Sequence, residues 1–274
     1  MKMITKGRVM VGLSLITIAL SLCSPCNATT LFKLGYDSTT GTWIDTSLSN
    51  ISVYEKNDVV PRLDMTSPTG GIVAEFSGLQ SWLEFTGTIL PANFTIEFYL
   101  QTTGFTHWSP GERYEFRHHV YGADGAGGNI DVDLHDKDCG NCAVWTYFAS
   151  EGALNIIDTR DSSVIEDGVW HRYVMTRDAN TITVAIDNRL IGEEVFSGPA
   201  EFFSGTNFIG RASIFTDEVF PGFYGNFSYE GYMAGFQITD TFTEITPVPE
   251  PATMLLFATG IAGIAGTRMR RRKK

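Results

Sequence analysis

The chain has 274 residues, of which 43% are hydrophobic and 19% charged, so it can bury a sizeable core. Nine of the 20 basic residues lie before residue 29 or after residue 251, whereas all 31 acidic residues lie between these positions. The middle of the chain therefore carries a net charge of −20, which would repel a phosphate backbone. This excludes nucleic-acid binding and favours cations or neutral polar molecules such as sugars as ligands.

The N-terminus has the three-part pattern of a secretory signal peptide. Three basic residues precede an apolar run over 9–22, and the segment ends with the small residue Ala28. We predict that residues 1–28 are a signal peptide cleaved after Ala28. An uncleaved anchor is disfavoured because the run is shorter than the roughly 20 apolar residues that span a bilayer. Lipid attachment at Cys23 or Cys26 is disfavoured by the bulky or rigid residues that precede these cysteines.

Residues 29–246 have the pattern of one all-β domain. Apolar and polar side chains alternate over 94–101 and 181–187, as in half-buried strands, and Asp187-Asn188 predicts a tight turn. Further strands are predicted at 72–76, 82–85, 114–121, 130–134, 144–148, 170–177 and 232–238. Turn residues separate them at the intervals typical of a sandwich. The predicted fold is an all-β, antiparallel two-sheet jelly roll.

Two aspartates, Asp131 and Asp133, are the candidate metal ligands. Their spacing of two places both on one face of the predicted strand over 130–134, where they could share a cation at the rim of a sheet. The alternative is a solvated acidic face, because neither EF-hand spacing nor a bidentate Glu accompanies them.

Cys139 and Cys142 are the two cysteines that remain after removal of the signal peptide. In an oxidising, exported setting we predict a disulfide between them within a tight loop. A thioredoxin-like centre would need this motif at the start of a helix in a βαβ unit, which the sequence lacks. Zinc is disfavoured because two thiols without a second ligand pair make half a site.

The same region is rich in glycine and in aromatic residues: Trp108, Tyr114, Phe116, Tyr121, Trp145 and Tyr147. Rings beside Asp and Asn side chains are typical of sugar-binding surfaces, because rings cover the apolar faces of pyranoses while polar groups bind the hydroxyls. Since half or more of these rings are expected in the core, the sequence predicts a glycan-binding region without assigning its residues.

The segment 167–178, followed by the strand over 181–187 and by 188–192, resembles the signature hairpin of laminin-G-like domains. These domains belong to the concanavalin A-like lectin/glucanase superfamily, and the similarity extends over about residues 72–238. Ala179 and Asn188 stand where the family commonly has turn glycines. The resemblance implies that Trp170 and His171 have structural rather than catalytic roles.

The same resemblance suggests which cation the domain would bind and whether it would be catalytic. Laminin-G-like domains often bind calcium at a rim, which makes calcium the cation expected at Asp131 and Asp133. Relatives that hydrolyse β-glucans carry Glu-x-Asp-x-Glu on one strand, since retaining hydrolysis needs carboxyl groups about 5 Å apart. This sequence has no such motif; its nearest alternation, over 131–134, contains no Glu. We therefore predict no catalytic residues.

Residues 252–267 form an uncharged apolar stretch, and six cations follow within Arg268–Lys274. This pattern predicts a short transmembrane helix with both basic chain ends in the cytoplasm and the acidic middle on the far side. A buried core helix is the alternative, which the terminal cations disfavour.

The tripeptide Pro249-Glu250-Pro251 stands directly before this stretch. Its order with the apolar stretch and the Arg cluster resembles, over 247–274, the PEP-CTERM sorting signal of bacteria that make extracellular polysaccharide. The resemblance implies processing by exosortase, a membrane-embedded cysteine protease, after transient insertion into the inner membrane. Proline keeps the tripeptide extended and open to a protease.

From these features we expect an exported, non-catalytic protein of the cell surface or extracellular matrix, whose partner is a polysaccharide or glycoconjugate. The alternatives are a degenerate glycoside hydrolase or lyase of the same fold, and a purely structural surface protein without a ligand.

Overall fold

The computed structural model describes residues 28–57, 59–77, 81–87, 90–102, 116–125, 128–137, 141–150, 153–158, 168–195, 205–211 and 229–242. This part of the chain contains sixteen strands and no helix. The strands are β1 Thr30–Asp37, β2 Thr42–Asp45, β3 Val53–Lys56, β4 Val60–Asp64, β5 Gly71–Ser77, β6 Trp82–Thr86, β7 Phe94–Gln101, β8 Phe116–Gly125, β9 Gly128–Lys137, β10 Asn141–Ser150, β11 Ala153–Asp158, β12 His171–Asp178, β13 Thr181–Ile186, β14 Arg189–Val195, β15 Thr206–Ile209 and β16 Glu230–Thr239.

The strands form two antiparallel sheets. A seven-stranded sheet has the order β11-β10-β9-β8-β15-β6-β3, and a nine-stranded sheet has the order β14-β13-β12-β7-β16-β1-β2 with the β4–β5 hairpin joined to β16. The predicted all-β, antiparallel two-sheet fold is confirmed.

Strand β16 organises the nine-stranded sheet. One of its edges pairs with β7. Its other edge pairs first with β5, through Glu230–Met233, and then with β1, through Gln237–Thr239. Because β5 and β7 both run antiparallel to β16, their C-terminal ends meet beside its first residues.

Aromatic rings from both sheets fill the core between them. Phe32 of β1 stacks on Phe85 of β6 with ring centroids 3.8 Å apart. Phe236 of β16 lies 6.3 Å from Phe85 and 5.3 Å from Tyr121 of β8. Aromatic pairs of this kind contribute about 0.5–1.5 kcal/mol each beyond the burial of their area, so they hold the sheets face to face.

The β13–β14 hairpin is closed by the predicted tight turn. Asp187 and Asn188 have φ values of 52° and 63°, the left-handed conformation that a two-residue hairpin loop requires. The Asp187 carboxylate accepts a hydrogen bond from the backbone of Arg172 at 2.9 Å and lies 2.7 Å from Nδ1 of His171. Arg172 in turn donates to the Asn188 side chain and, at 2.7 Å, to Glu97. His171 therefore anchors this turn.

At the other end of β12, Ala179 takes the left-handed conformation where the family commonly has glycine, with φ at 50°. Its amide donates to the side chain of Asn93 at 2.8 Å, and its carbonyl accepts from the buried Arg177 at 2.7 Å. These two contacts hold a turn that is strained for a residue with a Cβ.

Both predicted terminal segments lie outside the described residues, except for Ala28. Within the described ranges, no helix is long and apolar enough to cross a membrane. The signal peptide over 1–28 and the transmembrane helix over 252–267 remain predictions.

Candidate functional site

The predicted metal ligands lie on β9, an interior strand of the seven-stranded sheet between β10 and β8. Asp131 and Asp133 alternate with Ile130, Val132 and Leu134, which belong to the core. Both carboxylates therefore lie on the face of the sheet turned away from the core. They are nevertheless buried, with exposed fractions of 4% and 1%.

His119 of β8 stands opposite Asp133 in the ladder, and its Nδ1 lies 2.6 Å from Asp133 Oδ1 with both side chains buried. Burial raises the pKa of Tyr121, and the negative charge of Asp131 raises it further. Among the described residues, no group of three or more His, Cys, Asp or Glu side chains is placed to hold a metal ion. Calcium prefers six to eight oxygen ligands, of which Asp131 and Asp133 would be two, so calcium binding here stays a prediction.

The aromatic residues of this region are only partly described. Tyr121 belongs to the core, where its hydroxyl donates to Asn207 at 2.7 Å. Trp145 and Tyr147 on β10 pair through their backbones with Asp133 and Asp131. Trp108 and Tyr114 lie outside the described residues, and the side chain of Phe116 is not described. The predicted disulfide also falls outside, because Cys139 is not described, and it remains a prediction.

A second polar site lies on the nine-stranded sheet, where the ends of β5 and β7 meet the start of β16. This pocket, of about 170 Å³, is lined by Glu75, Phe76, Ser77, Gln101, Glu230, Gly231 and Tyr232, and we call it the Glu75 pocket. Glu75 alternates with the core residues Ala74 and Phe76, so its carboxylate lies on the outer face of the sheet.

Two lining residues of the Glu75 pocket, Glu75 and Tyr232, form a hydrogen-bonded group with Arg62 beside it. Tyr232 donates from its hydroxyl to Oε1 of Glu75 at 3.2 Å and accepts from Arg62. The Arg62 guanidinium lies 3.6 Å from the same Oε1 and 4.8 Å from the centre of the Tyr232 ring. Partial burial and the Glu75 charge raise the pKa of Tyr232, so its phenol stays protonated at neutral pH.

The base of the pocket depends on a glycine. Gly231 has φ at +145°, and a Cβ added there would lie 2.5 Å from the Gln101 carbonyl oxygen and 2.7 Å from the Tyr229 hydroxyl. Tyr229 is fully buried, and its hydroxyl lies 3.0 and 3.1 Å from the backbone carbonyl oxygens of Gln101 and Tyr232, which share its one proton as acceptors. Any larger residue at 231 would push apart the strands that form the pocket.

The signature hairpin also contributes to this site. Gly168, whose φ of 74° suits glycine, donates its amide to the Thr102 carbonyl at 3.0 Å. Its own carbonyl accepts a hydrogen bond from the Gln101 side chain. Gly168, the second residue of the signature segment 167–178, therefore positions Gln101, which lines the Glu75 pocket.

Sequence reasoning missed the Glu75 pocket, because its residues come from strands up to 157 positions apart. The alternation within predicted strands 72–76 and 232–238 could have assigned Glu75 and Tyr232 to outer faces. No sequence pattern pairs those two strands with each other.

This architecture, two antiparallel sheets closed over an aromatic core, is that of the lectin-like sandwiches. The sequence matches the concanavalin A-like lectin/glucanases superfamily, through its laminin G model, over residues 77–229. The chain belongs to this superfamily. It also carries a PEP-CTERM protein-sorting motif, matched over residues 247–272. Both resemblances noted in the sequence are confirmed, while no curated protein matches the chain.

Solved structures share the fold at low identity. Domain 4 of AbnA, a GH43 extracellular arabinanase from Geobacillus stearothermophilus in complex with arabinotriose, superimposes with a TM-score of 0.55 at 12% identity, covering 80% of this chain and 95% of that domain. The binding domain of botulinum neurotoxin DC in complex with SialylT superimposes with a TM-score of 0.55 at 11% identity, covering 84% of this chain and 51% of that chain. The enzymatically active domain of bacteriophage CBA120 tailspike protein 2 superimposes with a TM-score of 0.50 at 13% identity, covering 71% of this chain and 29% of that chain.

Proposed function

We propose that this chain is an exported, non-catalytic, glycan-binding protein of the bacterial cell surface or extracellular matrix, associated with exopolysaccharide. Its superfamily and its sorting motif both support this proposal. Two proteins of the same fold were solved with arabinotriose and SialylT, so the fold accommodates saccharide ligands in other proteins.

The observation that carries the proposal is the Glu75 pocket. A saccharide site needs a concave surface with a few hydrogen-bonding groups in fixed positions. The pocket offers carboxylate acceptors and a phenol, and the phenol is held in place by Arg62 and Glu75. The glycan-binding region that the aromatic residues of this part of the sequence predict is the second candidate, although Asp131 and Asp133 themselves are buried.

Two features favour binding over catalysis. Retaining glycoside hydrolysis requires a pair of accessible carboxyl groups, and the motif that supplies them in the related glucanases is missing from the sequence. The sequence alternation nearest to that motif contains Asp131 and Asp133, but both are buried and Asp133 is engaged by His119. The Glu75 pocket has two glutamates, of which Glu75 is held by Tyr232 and Arg62. We therefore propose that the domain binds polysaccharide without cleaving it.

For the tail, we propose that exosortase recognises Pro249-Glu250-Pro251 and that the apolar stretch holds the protein in the inner membrane until processing. The mature protein then reaches the surface or the matrix. The PEP-CTERM motif supports the export route.

The test uses the full chain in detergent on an array of bacterial and plant polysaccharides, together with a reducing-end assay on the glycans that bind. We expect saturable binding to at least one polysaccharide and no release of reducing ends. Release of reducing ends would support the hydrolase alternative, and loss of chain length with unsaturated ends would support a lyase. An array without any bound glycan would favour the purely structural alternative.

A further inference from the structure

We propose that the Glu75 pocket binds an amino sugar through its protonated amine, so that the polysaccharide recognised contains hexosamine residues without N-acetyl groups. This inference rests on the proposed function and specifies its ligand. It concerns the outer face of the nine-stranded sheet, away from the predicted region around Asp131.

Charge is the first argument. The pocket is lined by Glu75 and Glu230, and Arg62 supplies a positive charge beside Glu75. Asp64, whose charge also acts on Tyr232, adds a third carboxylate, so the described residues around the pocket carry a net negative charge. A sugar carboxylate or sulfate would be repelled there, whereas an ammonium group would gain a charge-assisted hydrogen bond.

The second argument is the arrangement of the Glu75 carboxylate. Tyr232 and Arg62 both engage Oε1, and the side chain keeps 37% of its surface exposed. An ionised carboxylate accepts up to about four hydrogen bonds through its two oxygens. Oε2 is thus available to a ligand, while the contacts at Oε1 fix the orientation of the group.

Size limits what can enter. Pockets for drug-sized molecules measure about 300–1,000 Å³, so a pocket of about 170 Å³ suits a single sugar ring rather than a longer stretch of chain. Arg62 already covers one side of the Tyr232 ring. A sugar would therefore be held mainly by hydrogen bonds to carboxylates and hydroxyls, which discriminate amine from N-acetyl more sharply than ring stacking does.

The experiment measures binding of the full chain, in detergent at pH 6, to three immobilised tetrasaccharides: β-1,4-linked glucosamine, N-acetylglucosamine and galacturonic acid. We expect the glucosamine tetramer to bind most tightly. Glu75→Gln should weaken that binding about tenfold or more, the loss expected on removing a charge-assisted hydrogen bond. Glu230→Gln, which removes one negative charge from the lining of the pocket, should give a smaller loss.

Because the protein is acidic overall, a cationic glycan could also bind without using the pocket. Glu194→Gln is the matched control, since Glu194 is exposed on β14 and its replacement removes the same charge outside the pocket. We expect this variant to bind like the parent. Tyr232→Phe, which keeps the ring and removes the hydroxyl that orients Glu75, should give an intermediate loss.

Equal weakening by Glu194→Gln and Glu75→Gln would overturn the inference, as would a preference of the parent protein for the acetylated or acidic tetramer. In those cases the proposed glycan-binding function would stand. Failure of the parent to bind any glycan on the array would overturn both.

Discussion

A side-chain hydrogen bond links the two sheets through the core, and its removal tests the fold. The Tyr173 hydroxyl of β12 lies 2.7 Å from the Thr146 hydroxyl of β10, and neither residue is exposed to solvent. The Tyr173 ring also stacks on Phe98 at 4.7 Å, a contact that phenylalanine would keep. Tyr173→Phe therefore removes the hydroxyl and little else.

The expected magnitude follows from burial. Burial raises the pKa of Tyr173, so its phenol is neutral at physiological pH. Removing it leaves the buried Thr146 hydroxyl without this partner, which costs about 1–3 kcal/mol of unfolding free energy. Thr146→Val should cost a similar amount for the same reason. The double variant replaces both groups by apolar atoms of similar shape. Its loss of unfolding free energy should therefore be much smaller than the sum of the two single losses.

Urea and thermal unfolding of the four proteins measure the cycle. For a domain of this size, each kcal/mol corresponds to about 2–4 °C in Tm. Tyr36→Phe on β1 is the matched control: Tyr36 is half-buried and has no hydrogen bond through its hydroxyl in the described part of the chain, so we expect a change below about 0.5 kcal/mol. If Tyr173→Phe were as mild as the control, or if the two core substitutions were simply additive, the proposed link between the sheets would be refuted.

Four further outcomes are expected. Gly231→Ala should destabilise the protein by about 2–4 kcal/mol in urea unfolding, because the new Cβ overlaps the neighbouring strand and the backbone has positive φ; a change below 1 kcal/mol would contradict the geometry. Burial opposes ionisation of the Asp45 carboxyl, but hydrogen bonds from three backbone amides and a serine hydroxyl outweigh it and lower the pKa of Asp45. The contribution of the ionised Asp45 to stability should thus be complete above the ordinary aspartate pKa of 3.8 and should be lost as the pH falls through the lower folded-state pKa. Between pH 5 and pH 2, the Asp45→Asn variant should therefore lose less stability than the parent. Deleting Pro249–Pro251 should leave the protein in the inner membrane, as fractionation and immunoblotting would show, whereas equal export of the deletion would count against exosortase processing. Mass spectrometry of the exported protein should find the predicted cysteine pair joined, and two free thiols would disprove the disulfide.

Local alternation was sufficient to predict the central strands. Strand β7 has the bounds predicted for it, and its inward residues, from Phe94 to Leu100, lie in the core. The turn at Asp187-Asn188 was predictable for a similar reason, because those residue types tolerate positive φ. In both cases the conformation is determined by residues that lie close together in the sequence.

The first four strands were not predicted, and for β3 and β4 their low burial explains why. Strands β3 and β4 are largely exposed, and β4 contains Pro61, which argues against a strand when the sequence is considered alone. Strand β4 exists because it pairs with β5, from Val60 opposite Glu75 to Asp64 opposite Gly71. A segment with little strand propensity of its own thus becomes a strand by pairing with its neighbour, and the local sequence pattern does not contain this information.

By itself, the sequence determined the superfamily, the sorting motif and the shared strand face of Asp131 and Asp133, since each depends on residues close together in the chain. Tertiary structure decided that this face is buried and that His119 engages Asp133. It also assembled the Glu75 pocket, because β5, β7 and β16 come together only through long-range pairing. Strand periodicity assigns a side chain to one of two faces, but the packing of distant segments decides whether that face is buried or forms a pocket.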